Sequence, residues 1–257
     1  MNILSTSNSV TAGERACRIL QQGAAGEVIG VFSQGIYARM GEDILLFHDA
    51  KWGSVPFGIA LPDFAAFAAK AALSVGDSFT LSAPVECASG AYPAIESLSA
   101  ERVAAADAYI RAHGSEGGML SLLTENRGRV REKIEGLLCG DADAALGLVG
   151  LGRGLTPSGD DFLCGFFCLL RAAGDTRFDA VRDAILQNLH RTTAISAAYL
   201  QSALSGEYFT VYDRALRAVC AEDFVSHCDF VLGMGASSGT DTMLGVLAAA
   251  SVLLARV

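Results

Sequence analysis

Residues 150–165 read GLGRGLTPSGDDFLCG, a glycine-rich loop that runs directly into an apolar segment. The glycines at alternate positions from Gly150 allow positive φ angles or a close approach of the backbone to a ligand. Pro157 disfavours helix at the residue before it, and Ser158 is a residue type that caps helices well. The sequence therefore predicts a helix that begins near Ser158. Because residues 162–173 are apolar on nearly every face, this helix is predicted to be buried.

Two adjacent carboxylates, Asp160 and Asp161, fall in the first turn of this predicted helix, where the helix dipole favours negative charge. The same device recurs 80 residues later, where Ser238-Gly239-Thr240-Asp241 corresponds to residues 158–161. In both copies a glycine follows four residues after the last acid, and a long apolar helix is predicted behind it. Each copy is predicted to have serine at the N-cap.

Two interpretations of these paired motifs remain open. The first is that each Ser-x-x-Asp is a capping box, which serves helix stability alone. The second is that the two helix starts converge and form two walls of one pocket. Capping alone explains neither the glycine-rich approach nor the additional Asp160, so the second interpretation predicts a site at the point where the turns meet.

Composition limits the class of protein. The chain has 257 residues, 51% of them hydrophobic and 8% aromatic, and a formal net charge of −9. The acidic balance, without a basic run longer than two residues, disfavours nucleic acid as a partner. The apolar runs are shorter than the ~20 residues that span a bilayer, and the start lacks the order of a signal peptide. We therefore expect a cytoplasmic enzyme or binding protein, with an apolar content compatible with homo-oligomers.

The seven cysteines show no regular spacing, and their number is odd, which argues against a disulfide framework. Cys164 and Cys168 are four residues apart and could share a metal ion. No matching Cys or His pair follows at a suitable interval, so the favoured interpretation is that both are small buried hydrophobic residues.

The order of the elements predicts an α+β fold. Short apolar runs broken by glycine turns predict a small, partly closed antiparallel sheet or barrel in residues 27–90. From Ser99 onwards the pattern is helical, so we expect a β-rich region at 1–98 and a helical domain at 99–257. Strands and helices do not alternate, which disfavours a doubly wound sheet, and the glycine loop matches no nucleotide-binding fingerprint.

Residues 154–161, GLTPSGDD, resemble the hallmark of a known bacterial family, and TTAIS at 192–196 and SGTDT at 238–242 extend the resemblance. The family includes the AllH-type subunit of oxamate carbamoyltransferase from anaerobic allantoin degradation, a branch of purine catabolism. It was long a domain of unknown function whose members were loosely called carboxylases. The resemblance covers roughly residues 100–250. Arg153 stands where the family pattern leads us to expect proline.

The resemblance implies transfer of a carbamoyl group between carbamoyl phosphate and an oxamate-like amide. It also implies a complex with further subunits, which resemble acyl-CoA synthetase subunits. Two alternatives stay open. The chain is either a catalytic component or a non-catalytic ligand-binding or scaffold subunit, and a carboxylase-like activity is a further alternative.

The candidate site takes a small anionic substrate, because helix N-termini attract phosphate and carboxylate groups. Its candidate catalytic residues are Asp160, Asp161 and Asp241. Since these carboxylates would repel an anion, either an amide NH₂ of the substrate or Mg²⁺ held by Asp160 and Asp161 is expected between them. No other cofactor is indicated. The candidate substrate-binding residues are Arg153, Gly154, Thr156, Ser158, Gly159, Thr193, Ser196, Ser237, Ser238, Gly239 and Thr240.

Overall fold

The computed structural model of the protein describes residues 2–5, 10–23, 25–82, 84–125 and 127–255. The chain divides into two compact units, an N-terminal unit of residues 1–91 with 208–210 and a helical unit of residues 92–207 with 211–257. The predicted α+β class, with a sheet region followed by a mostly helical region, is confirmed.

One mixed sheet forms the N-terminal unit. Its strands in the described part of the chain are β1 (Asn2–Ser5), β2 (Val10–Gly13), β3 (Ala25–Phe32), β4 (Gly35–Met40), β5 (Asp43–Asp49), β6 (Gly58–Leu61), β7 (Ser78–Ser82) and β8 (Val85–Ala88). They lie in the order β1-β7-β3-β4-β5-β6-β2-β8, and the strands between residues 10 and 88 form a curled sheet.

The sheet is antiparallel only in part. The hairpin pairs β3–β4 and β4–β5 are antiparallel, as the tight glycine turns predict, and so are β3–β7 and β2–β6. The pairs β1–β7, β5–β6 and β2–β8 are parallel. Parallel pairs join strands that no tight turn links, so local turn signals could not reveal them.

The core of this unit lies along β5, whose central residues are buried. Leu45 and Phe47 have no exposed side-chain surface, and the Phe47 ring contacts the rings of Phe67 and Phe79. Two helices also belong to the unit, α1 (Glu14–Gln22) and α2 (Phe64–Ala71).

A disulfide bond joins Cys17 of α1 to Cys87 of the edge strand β8, so the expectation of no disulfide is wrong for this pair. The sheet register explains the pairing. Cys87 lies opposite Ala12 in the β2–β8 ladder, and Cys17 follows Ala12 by little more than one helical turn. Spacing along the chain cannot show this, because the cysteines are 70 residues apart. Cys164 and Cys168 are free and buried, as expected for small hydrophobic residues.

The remaining helices are α3 (Ala100–His113), α4 (Gly118–Glu125), α5 (Arg127–Leu138), α6 (Ala142–Leu146), α7 (Ser158–Ala172), α8 (Asp179–Gln187), α9 (Ala194–Ser205), α10 (Thr210–Cys220), α11 (Phe224–Leu232) and α12 (Ser238–Leu254). Among the described residues, no helix combines the length and the apolar character that crossing a membrane requires.

Helices α7 and α12 form the core of the helical unit and cross at a pair of glycines. A Cβ atom on Gly165 would lie 2.0 Å from the Thr242 carbonyl oxygen, and one on Gly245 would lie 1.9 Å from that of Phe162. Only glycine allows two backbones to approach this closely. The two glycines occupy the same place in the two sequence repeats, so the repeat explains why the crossing is symmetric. The prediction that the first helix is buried is confirmed.

Candidate functional site

Both repeat serines lie at the first residue of their helices rather than at the cap. Helix α7 begins at Ser158 with Pro157 at the N-cap, and α12 begins at Ser238 with Ser237 at the N-cap. Neither cap side chain accepts a hydrogen bond from a backbone N–H of its helix, so the predicted N-cap roles of the two repeat serines are wrong. Pro157 has the extended ψ of 142° that a cap position needs, which moves Ser158 into the helix.

The two helix starts meet directly and are linked reciprocally. The Ser238 hydroxyl hydrogen-bonds to the Asp161 carboxyl of the other helix, and the Ser158 hydroxyl hydrogen-bonds to the Asp241 carboxyl. A third contact joins the hydroxyl oxygens of Thr156 and Ser238 at 3.1 Å. Turns that are about 80 residues apart in sequence therefore converge, as the pocket interpretation requires.

Asp241 is completely buried and ties the start of α12 to that of α4. Its Oδ1 accepts a hydrogen bond from the Met119 backbone N–H at 2.7 Å, and its Oδ2 accepts one from the Ser237 hydroxyl at 3.1 Å. Burial raises the pKa of the Asp241 carboxyl, and the hydrogen bonds from Met119, Ser158 and Ser237 act in the opposite direction. Asp241 thus caps a helix that is distant in sequence.

Asp160 anchors the glycine-rich loop and the start of α9. Its Oδ1 accepts a hydrogen bond from the Gly150 N–H at 2.8 Å. Its Oδ2 accepts one from the Ser196 hydroxyl at 2.7 Å and another from the Thr192 hydroxyl. Burial raises the pKa of the Asp160 carboxyl, although the hydrogen bonds from Thr192, Gly150 and Ser196 lower it.

Asp161 differs from both other acids, because its Oδ2 is buried and has no hydrogen-bond partner among the described residues. Burial raises the pKa of the Asp161 carboxyl well above its ordinary value. The nearby charges of Asp241 and Asp160 raise it further, and the hydrogen bond with Ser238 lowers it. Three carboxyl groups this close cannot all be charged at low cost, so Asp161 is the one that the site favours as a neutral acid.

The start of α9 closes one side of the site. Thr193 is its N-cap and accepts a hydrogen bond from the Ser196 N–H at 3.0 Å. The Thr193 hydroxyl donates to the Leu155 carbonyl oxygen at 2.5 Å. Both hydroxyl residues predicted on this helix therefore lie beside the glycine-rich loop, and both are engaged in bonds within the chain.

The loop that precedes α7 is exposed. Gly152 and Gly154 have φ angles of 123° and 92°, which confirms the positive φ expected of the loop glycines. Arg153 lies between them with its side chain exposed. It therefore places a positive charge on the solvent side of the helix start.

Three other residues predicted to bind substrate, Gly159, Gly239 and Thr240, make hydrogen bonds within the chain instead. The N–H groups of Gly159 and Gly239 donate to the carbonyl oxygens of Leu151 and Met234, at 2.8 and 3.1 Å. Thr240 is buried, and its hydroxyl accepts a hydrogen bond from the Ser115 N–H at 2.9 Å. The amides of these two glycines are therefore already used within the chain.

Sequence reasoning missed the groups that bind the acids from distant segments. Met119 and its neighbour Gly118 meet Asp241, and a Cβ on Gly118 would lie 2.4 Å from that carboxylate. The one local signal was the glycine pair before the apolar run that starts at Met119. Thr192 was noticed as part of a motif, but its bond to Asp160 was not predicted.

Of the two residues predicted to hold Mg²⁺, Asp160 does not fit a cation, because both of its oxygens accept N–H or O–H hydrogen bonds where the ion would have to lie. Asp161 has one oxygen without a hydrogen-bond partner among the described residues, but it is buried. Among the described residues, no group of three or more His, Cys, Asp or Glu side chains is placed to hold a metal ion.

The segment that carries both helix starts also carries the similarity to known proteins. Residues 148–250 match the family of the oxamate carbamoyltransferase subunit AllH. The AllH match includes α7, α9, most of α12 and every acid of the site, and it confirms the resemblance drawn from the sequence. The sheet lies outside the AllH match. No solved structure matches the chain.

Proposed function

We propose that this chain is a subunit of a carbamoyltransferase that uses carbamoyl phosphate and oxamate, and that its substrates bind at the paired helix starts. The paired helix starts are residues 150–161 and 237–241. The observation that carries the proposal is the reciprocal pairing of Ser158 with Asp241 and of Ser238 with Asp161, within the segment that matches AllH. The proposal further places the protein in the cytoplasm, in purine degradation, with partner subunits.

The charge of the site is compatible with an anionic substrate. The carboxylates of Asp160 and Asp241 accept hydrogen bonds from N–H and O–H groups, which partly offset their charge. Asp161 is favoured as a neutral acid. Two helix N-termini add partial positive charge at the same place, and the exposed guanidinium of Arg153 is suited to a bidentate contact with phosphate or carboxylate.

The chemistry needs no covalent intermediate on the protein. The amide nitrogen of oxamate attacks the carbonyl carbon of carbamoyl phosphate, a C–N bond forms, and the C–O bond to phosphate breaks. The proton lost from the nitrogen leaves with the phosphate. The site must then orient the two substrates and stabilise the negative charge that develops on the carbonyl oxygen. In this proposal the neutral carboxyl of Asp161 and the two helix ends supply that stabilisation.

A second candidate is a subunit that binds a ligand or acts as a scaffold without turnover. It is favoured by the occupied oxygens of Asp160 and Asp241, which hold segments of the same chain together. In that case these acids position the glycine-rich loop, and catalysis lies in a partner subunit.

The test measures phosphate released from carbamoyl phosphate in the presence of oxamate, first with the purified chain and then with the partner subunits added. For the catalytic candidate, we expect Asp161→Asn to lower turnover by about 100-fold or more, the range for loss of a group that acts in the transition state, with an unchanged fold. Arg153→Gln is expected to raise the KM for carbamoyl phosphate. Its matched control is Arg131→Gln, because Arg131 is exposed on α5 and pairs with the surface residue Glu135.

Activity that appears only in the complex and survives Asp161→Asn would reject the catalytic role. It would support the scaffold candidate if Asp160→Ala then weakens assembly. Equal effects of the Arg153 and Arg131 substitutions would show that the glycine-rich loop does not contact substrate.

A further inference from the structure

The disulfide between Cys17 and Cys87 joins two segments that the N-terminal unit holds in different ways. Cys17 lies on α1 and is only 8% exposed. Helix α1 has other attachments, because it also buries Ala16 and Ile19, and the Ala16 N–H donates to the Pro56 carbonyl oxygen at 2.8 Å. This side of the bond therefore belongs to the core of the unit.

Strand β8, which carries Cys87, lies at the edge of the sheet. Among the described strands it pairs with β2 alone. None of its four residues is buried, and Cys87 is one of the exposed ones. Because β8 contributes no side chain to the core, its attachment depends chiefly on the ladder with β2 and on the disulfide.

The difference in exposure decides how the bond can react. In thiol–disulfide exchange a thiolate must reach one sulfur of the bond, and the other sulfur leaves. Cys87 is exposed and Cys17 is buried, so the attack falls on Cys87 Sγ. Exposed disulfides are the labile and regulatory ones, whereas structural disulfides resist reduction.

The buried sulfur has a place in the reduced protein as well. Cys17 Sγ lies 3.9 Å from the Ala12 carbonyl oxygen, which can accept a hydrogen bond from the thiol that reduction creates. Reduction therefore leaves Cys17 in the core with a polar partner, while it removes the covalent attachment of β8.

We propose that this disulfide is a thiol-exchange site for a small dithiol, and that its reduction releases β8 from β2 while α1 stays in place. A thiolate of the dithiol attacks Cys87 Sγ and forms a new S–S bond. The bond to Cys17 breaks, and the Cys17 thiolate takes up a proton from water. The second thiol of the dithiol then displaces Cys87 from the mixed disulfide. The dithiol loses two electrons and becomes a disulfide, and the cysteine pair gains them.

The released segment is short, and its release changes the edge of the sheet. Gly90 lies against the Tyr208 ring, since a Cβ there would be 2.3 Å from Tyr208 Cδ1, and this contact holds the chain beyond β8. Release turns the backbone groups of β2 that pair with β8 towards solvent, where they can pair with another strand. The disulfide lies outside the AllH match, and its exchange does not depend on carbamoyl transfer.

The test treats the folded full chain with dithiothreitol and follows amide hydrogen exchange. We expect the amides of the β2–β8 ladder to exchange faster by about tenfold or more after reduction, while those of β5 keep their protection. Oxidised dithiothreitol should restore the original rates.

The site of attack is tested with glutathione, a monothiol, and a quench with iodoacetamide. Peptide mass spectrometry should find glutathione on Cys87 and the alkyl group on Cys17. Since Cys87 is exposed, the folded chain should be reduced within about tenfold of the rate in urea.

Two variants provide the comparison. Cys87→Ser should show fast exchange in β8 without any reductant and no further response to dithiothreitol. Cys139→Ser is the matched control, because Cys139 is an exposed free cysteine of the helical unit, and it should respond like the unaltered chain. If Cys87→Ser does not fold, reduction of the unaltered chain carries the test.

Three results would overturn the proposal. The first is reduction that occurs only through unfolding, at about a thousandth of the rate in urea. The second is glutathione on Cys17. The third is a reduced chain in which β8 stays protected, or in which β5 loses protection as much as β8 does.

Discussion

The starts of α7 and α12 are built from the same residues but are closed in different ways. Each begins with a serine whose hydroxyl bonds an acid of the other helix, and each has a glycine at the crossing. Asp241 accepts a hydrogen bond from the Met119 N–H. The corresponding Asp161 has one buried oxygen without a hydrogen-bond partner among the described residues. The repeat therefore provides a stable frame, and the difference between its copies lies where we propose that the substrates bind.

The copies differ again one residue earlier. Asp160 bonds the Gly150 amide and the hydroxyls of Thr192 and Ser196, while the corresponding Thr240 accepts a hydrogen bond from the Ser115 amide. The start of α7 thus holds more of the surrounding chain than the start of α12. Substitutions at equivalent positions can test how far the similarity between the two copies extends.

The largest effect is expected at the crossing, where the copies should behave alike. Gly165→Ala and Gly245→Ala each place a methyl group within about 2 Å of a backbone carbonyl oxygen, which no side-chain rotation relieves. We expect each to lower the free energy of unfolding by about 3 kcal/mol, measured by urea denaturation.

Gly128→Ala in α5 is the control, because its Cβ would meet nothing within 4 Å. A gain of up to about 1 kcal/mol is expected there, since alanine restricts the unfolded chain. A small loss at only one of the crossing glycines would show that the crossing is not symmetric.

A smaller effect on stability is expected at the equivalent residues Asp160 and Thr240, where the two copies should differ. Asp160→Ala leaves buried N–H and O–H donors without their acceptor, and we expect a loss of about 2 kcal/mol. Thr240→Ala removes the acceptor of a single backbone N–H, so about 1 kcal/mol is expected. Denaturation of the two variants at one pH measures the difference. Equal losses would contradict the assignment of Asp160 as the anchor of the glycine-rich loop.

The smallest effect depends on pH. The pKa of Asp161 is raised in the folded chain, so the folded state holds a proton that the unfolded state releases above pH 4 or so. Stability is therefore lost as the pH rises from that point through the folded pKa. Asp161→Asn cannot ionise and should flatten this dependence between pH 5 and pH 8.

The measurement is the free energy of unfolding at both pH values, with Asp143→Asn as the control at an exposed carboxyl. If the Asp161 variant keeps the full pH dependence of the unaltered chain, the acid is not the group responsible.

Features with a local cause could be predicted from the sequence. Ser99 caps α3 and Asp141 caps α6, because each side chain bonds amides within three residues. The motif at residues 158–165 and its copy at residues 238–245 are also local patterns, and they predicted two equivalent helices. The parallel strand pairs, the disulfide and the bond from Met119 to Asp241 could not be predicted, since each joins segments that only the tertiary fold brings together. The roles of Ser158 and Ser238 were misjudged because each hydroxyl bonds the other helix.

The crossing of α7 and α12 also affects the order of events during translation. Helix α12 leaves the ribosome about 80 residues after α7, which takes roughly 4–16 s at ordinary rates of synthesis. During that interval the glycine face of α7 has no α12 to cover it, and Asp161 has no Ser238 to bond. A nascent chain that stalls before α12 consequently presents the otherwise buried helix α7 to chaperones and proteases.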